Sequence, residues 1–133
     1  KSITYVIIRV RNFGGDDVIK GIFKYNLKSN DLAVEYEGEC IYYDDKNILM
    51  YKEENGTDVR IDLANLILTR ENEEMLLVLN FSLGESYINM KKMNGKMPLM
   101  LTVNDKKIES NLFAVNYTLS DQNNFKFTLE WTF

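Results

Sequence analysis

Arg70 is the residue of this chain best placed to do chemistry in a confined space. It follows Leu66 and Leu68 at a two-residue period, so on a β-strand the three side chains share one face. If that face lines an interior, a guanidinium ends on an inner wall. A buried guanidinium needs a partner, either a protein carboxylate or an acidic ligand. The plainer alternative is a strand-end arginine whose head reaches water. Tyr51 and Tyr117 stand on strand-like stretches and could bring hydroxyls to the same level, although a strand tyrosine commonly packs its ring and wets its tip. Met90, Met93, Met97 and Met100 are four of the chain's 6 methionines and fall close together. Flexible thioethers suit the mouth of a pocket or a partner face; plain core filling is the alternative. Arg70, Tyr51, Tyr117, Met90 and Met97 form the candidate ligand-binding set.

Little else in the chain could catalyse. There are 0 histidines, which removes His-based triads, His metal sites and imidazole acid–base work. Gly14-Gly15 lacks the pattern of a phosphate loop. The carboxylates cluster as Asp16/Asp17, Asp44/Asp45, Glu53/Glu54 and Glu71/Glu73/Glu74, each at an expected turn. They read as solvated turn charge, because a catalytic dyad needs shared burial. The 1 cysteine, Cys40, can form no internal disulfide and reads as a small buried hydrophobe in a reducing, cytoplasmic setting. The expectation is a non-enzyme with no cofactor and no metal.

A net charge of −4 with no long Lys/Arg run disfavours nucleic-acid binding. No stretch reaches the roughly 20 apolar residues of a membrane span, and no signal-peptide pattern is present. A chain of 133 residues fits one domain, 1–133, able to bury a core without staples.

The elements that must position the candidate set read as β-strands. From Phe125 to Phe133 the apolar residues Phe125, Phe127, Leu129, Trp131 and Phe133 alternate with Lys126, Thr128, Glu130 and Thr132, placing five apolar side chains on one face of a strand. Further strands are expected over Ile3–Val10, Leu32–Tyr43 with a bend at Gly38, Ile48–Glu53, Thr57–Leu63, Asn65–Glu71, Met75–Phe81, Glu85–Met90, Met97–Val103 and Ile108–Leu119. Turns are expected at 12–17, 44–47, Asn55-Gly56, Asn94-Gly95, Asn104-Asp105 and 121–124. Over 16–27, Val18, Ile19, Ile22 and Phe23 fall at helical spacing, while Phe23, Tyr25 and Leu27 alternate. A short helical or irregular crossing is favoured there. Tight turns between consecutive strands give an all-β fold, a single antiparallel up-and-down β-barrel with at most one short helix near the N-terminus.

The order of motifs adds a resemblance. Tyr51-Lys-Glu-Glu54 leads through Thr57 into an apolar strand. Leu66-Ile-Leu-Thr-Arg70 follows, then Asn80-Phe81 with Gly84 behind, Pro98-Leu99, and Val115-Asn-Tyr-Thr-Leu119 before the last hairpin. Over Gly38 to Phe133 this resembles the YwiB-like family of small bacterial proteins of unknown function. The resemblance implies a calycin-like barrel, similar to lipocalins, and no catalytic residue. The turn around Asn94-Gly-Lys-Met-Pro98 departs from the family habit.

Two functions stay open. One is a barrel that binds a small apolar or amphipathic ligand inside, with Arg70 and Tyr51 or Tyr117 reading a polar head and Met90–Met100 flexing at the mouth. The other is a filled barrel that serves as a structural or protein-interaction module. The hairpin Leu66–Leu68 with Leu76–Leu79 is apolar on both faces, so its outside is expected to be covered partly by Val18–Phe23 and partly by a weak homodimer.

Overall fold

The computed structural model describes residues 8–11, 17–82, 84–93, 95–120 and 123–133. Twelve strands build it: β1 (Ile8–Arg11), β2 (Asp17–Lys28), β3 (Ala33–Tyr43), β4 (Ile48–Lys52), β5 (Asp58–Asp62), β6 (Ile67–Glu71), β7 (Met75–Asn80), β8 (Ser86–Met90), β9 (Gly95–Leu99), β10 (Leu101–Glu109), β11 (Leu112–Leu119) and β12 (Asn123–Thr132). Among the described residues the one helical piece is a 3-10 turn, Lys91–Met93. Ile3–Ile7, the loop 12–16, Asn94, Asp121 and Gln122 lie outside the described residues.

All pairings are antiparallel, in the order β10-β11-β12-β2-β3-β4-β5-β6-β7-β8-β9, with β1 added on β2. The two end strands, β9 and β10, follow one another in the chain with Met100 alone between them. The sheet therefore curls into a nearly closed up-and-down barrel, joined at its seam by a covalent link rather than a ladder.

The strict alternation over 125–133 is realised as β12. Phe127, Leu129 and Trp131 are buried in the core, whereas Lys126 and Glu130 are exposed. The inner wall is strongly aromatic. One group joins Phe23, Tyr25, Tyr36, Tyr51 and Phe127; another joins Phe81, Phe113, Tyr117 and Phe125, and the Phe113–Phe127 contact links them. Cys40 is buried in this core, as its apolar neighbours imply.

Residues 17–28 are strand, not a helical crossing. β2 pairs β3 along its length and β12 over Ile22–Lys28, so ladder bonds on both sides decide for the two-residue period of Phe23, Tyr25 and Leu27. The segment is part of the wall and is not a cover for the outside of another hairpin. That hairpin's outward residues, Ile67, Leu76 and Val78, are themselves half-buried.

One expected turn is absent and one expected strand is divided. Asn104-Asp105 is no turn: β10 runs through it, and the register against β11 shifts between Val103 and Asp105. The extra residue is a bulge, and Asn104 Nδ2 donates to Thr118 Oγ1 at 2.9 Å. The chain reverses instead at Ser110-Asn111, so Ile108 belongs to β10 rather than β11. Likewise the stretch 97–103 is divided between β9 and β10 at Met100.

Glycines explain two close approaches. Pairing passes Gly38 opposite Phe23 with no register shift, so there is no bulge. A Cβ there would sit 3.2 Å from the Phe23 ring, and the missing side chain makes room for that ring. At Gly21 a Cβ would meet the Thr132 carbonyl oxygen at 2.4 Å, where β12 ends against β2. Gly21→Ala must push two backbones apart. It is expected to cost about 1–3 kcal/mol, read as a lower urea midpoint at unchanged slope; an unchanged midpoint would show that β12 ends loosely.

Candidate functional site

The site begins with a tight turn. After β4 the chain reverses over 53–57, where Gly56 takes φ +88°, a left-handed conformation that favours glycine. The Glu53 amide donates to Thr57 O at 2.8 Å, and the Gly56 amide donates to Glu53 O at 2.9 Å. Asn55 Oδ1 accepts from the Thr57 amide at 3.0 Å. Thr57 is buried, and its hydroxyl accepts from Asn72 Nδ2 at 3.3 Å, tying this turn to the one between β6 and β7. These bonds fix Glu53 at the start of the turn, in phase with the inward Leu49 and Tyr51.

Arg70 faces it from β6. Val59 on β5 lies opposite Tyr51 on one side and opposite Arg70 on the other, so the three form a row across neighbouring strands. Arg70 Nε donates to Glu53 Oε2 at 3.0 Å, and Nη2 donates to Oε1, giving a bidentate pair. Their side chains are 30% and 12% exposed. The partner that an inward arginine requires is thus a protein carboxylate. Burial alone would lower the Arg70 pKa, but its hydrogen bond and charge attraction to Glu53 raise it, so the guanidinium stays charged.

Beside the pair lies a cavity of about 140 Å³. Arg70, Glu53, Tyr25, Tyr51 and Tyr117 line it together with apolar side chains, including Leu77, Leu79 and Phe125. Tyr25, Tyr51 and Tyr117 are each more than nine-tenths buried. Among the described residues, none of their three hydroxyls bonds to a protein group, and none is a buried unmatched atom, so they open onto the cavity. Burial first, then the Glu53 charge, pushes the Tyr25 and Tyr51 phenols up; burial pushes Tyr117 up to about 12 against the opposing pull of Arg70. All three phenols lie in the field of Arg70, Tyr117 from β11 across the lumen. They are neutral donors at neutral pH.

Arg70, Tyr51 and Tyr117 of the candidate set are therefore brought together. Met90 and Met97 are not: neither lines the cavity, Met90 being half-buried on β8 and Met97 58% exposed on β9. Sequence reasoning missed Tyr25 and Glu53. Tyr25 was hidden by the helical reading of β2. Glu53 was grouped with solvated turn charge, yet its even spacing from Leu49 and Tyr51 was the signal that it turns inward. Cys40 takes no part; burial raises its thiol to about 12, outweighing a backbone hydrogen bond from Gly21. Among the described residues no group of acidic, Cys or His side chains could hold a metal ion, and no helix is long and apolar enough to cross a membrane.

No family model matches the chain, and no curated protein matches it. Among solved structures, the crystal structure of the ywiB protein from Bacillus subtilis is similar to this chain, covering 89% of it and 94% of the ywiB chain at 14% identity, with a TM-score of 0.44.

Proposed function

We propose that this barrel is a non-enzymatic binding protein of the YwiB-like, calycin type, which takes a small amphipathic molecule into the cavity beside Arg70 and Glu53. One observation carries the reading: three tyrosines, each more than nine-tenths buried, line that cavity, and among the described residues their hydroxyls make no hydrogen bond within the protein. A fold has little reason to place three around one ion pair unless something else meets them. The aromatic core fills most of the lumen, so the occupant is compact. Pockets for drug-sized ligands begin at roughly 300 Å³, well above the 140 Å³ here, which argues against a long acyl chain.

The Tyr51 hydroxyl gives a direct test. Tyr51→Phe is expected to leave stability unchanged or raise it by up to about 1 kcal/mol, while weakening retention of any small molecule seen by native mass spectrometry of freshly purified protein. A loss of stability would mean that the hydroxyl is a structural group, and the reading would fail.

The interaction-module reading keeps one specific observation. Met93, Met97 and Met100 are 77%, 58% and 78% exposed around the seam, where thioethers could mould to a partner. Protein that purifies empty, with Tyr51→Phe behaving as wild type, would favour that reading.

A further inference from the structure

We infer that the occupant of the cavity is an uncharged, ring-sized molecule whose polar end is a hydrogen-bond acceptor, and not a carboxylate; this rests on the binding reading above. Size is the first argument. An apolar cavity of about 150 Å³ holds a benzene-sized guest, and this one measures about 140 Å³.

Charge is the second. Arg70 is the natural attractor for an acid, but Glu53 already holds it in a bidentate pair. An incoming carboxylate would bring a second anion to one guanidinium. Displacing Glu53 would break both of its hydrogen bonds from Arg70 and strand a carboxylate that is only 12% exposed. A cation fares no better, since it would meet Arg70 and find both Glu53 oxygens engaged.

Hydrogen-bond inventory is the third. Two of the five guanidinium N–H groups go to Glu53, so three are left over. The hydroxyls of Tyr25, Tyr51 and Tyr117 add a donor each. The polar end of the cavity is thus rich in donors and electrically balanced. A ketone, lactone or amide oxygen matches it, with an apolar ring lying against Leu77, Leu79 and Phe125.

Three probes of about six non-hydrogen atoms separate the cases at similar size: cyclopentanone, methylcyclopentane and isobutyrate. Methyl resonances of Leu77 and Leu79 are followed by NMR during titration at neutral pH. Cyclopentanone should shift them saturably and bind about tenfold tighter than either competitor, the scale of one well-made hydrogen bond. Tyr51→Phe with Tyr117→Phe should narrow that preference, because two of the donors at the polar end are gone. Tightest binding by isobutyrate, or equal binding of ketone and hydrocarbon, overturns the inference while the cavity still binds. If none of the three binds and xenon is excluded too, the binding reading falls with it.

Discussion

Between pH 9 and 12 the protein is expected to lose several kcal/mol of stability. Cys40 and Tyr117 are both buried, and burial raises their pKa values to about 12 from the ordinary 9.0 and 10.0. In the unfolded chain both groups shed their protons near the ordinary values. The folded chain keeps them, so above pH 9 the unfolded state binds fewer protons and stability falls as pH rises. The stabilisation is complete below pH 9 and is lost through pH 12. At about 1.4 kcal/mol per unit, the shifts set upper bounds of about 4 kcal/mol for Cys40 and about 3 kcal/mol for Tyr117. Total stabilities of such domains are about 5–15 kcal/mol, so a loss of that order is a large share of the whole. Urea titrations followed by far-UV circular dichroism at each pH measure it. Cys40→Ala should delay the onset of the decline by about one pH unit, towards the ordinary tyrosine pKa. A urea midpoint that stays flat to pH 12 would show that these groups are wetter than the folded structure places them.

Breaking the Arg70–Glu53 pair from one side should be the costliest change at the site. Arg70→Met leaves the Glu53 carboxylate, 12% exposed, without its counter-charge, and Glu53→Leu leaves the guanidinium facing apolar side chains. Removing one partner of a fully buried pair costs about 3–5 kcal/mol. Arg70 is partly wet, so about 2–3 kcal/mol is expected for each single variant. The double variant Arg70→Met with Glu53→Leu should recover most of the loss, because neither charge is then stranded. The mutant cycle should return a coupling of about 3 kcal/mol, at least as large as either single loss. Simple additivity of the two losses would mean that each side chain is held by its own surroundings and that the pair is incidental.

The wall of the barrel was largely legible in the residues, and the corners were not. β12 could be read because Phe125, Phe127, Leu129 and Trp131 alternate with polar residues without a break. β2 could not, since Val18, Ile19, Ile22 and Phe23 satisfy a helical period equally well and only ladder partners far along the chain decide. Asn104-Asp105 has turn chemistry, but a bulge uses the same residue types, and the difference lies in whether β11 continues to pair beyond it. The site was legible in half. Arg70 needed a partner on physical grounds, and the need was correctly framed as carboxylate or ligand. Which carboxylate answers it depends on β5 standing between β4 and β6, a fact of register that composition does not carry.

The pairing of β2 with β12 has a consequence for how the protein is made. Ile22–Lys28 finds its second neighbour only at 126–132. On a ribosome adding roughly 5–20 residues per second, that stretch of β2 waits about 5–20 s with one row of amides and carbonyls unmatched. The hairpins from β3 to β8 pair with sequence neighbours and can form meanwhile. A nascent chain with one unmatched edge is a template for another chain's strand. Translation rate and chaperone supply over that interval, more than the stability of the finished barrel, should set how much of the protein escapes aggregation.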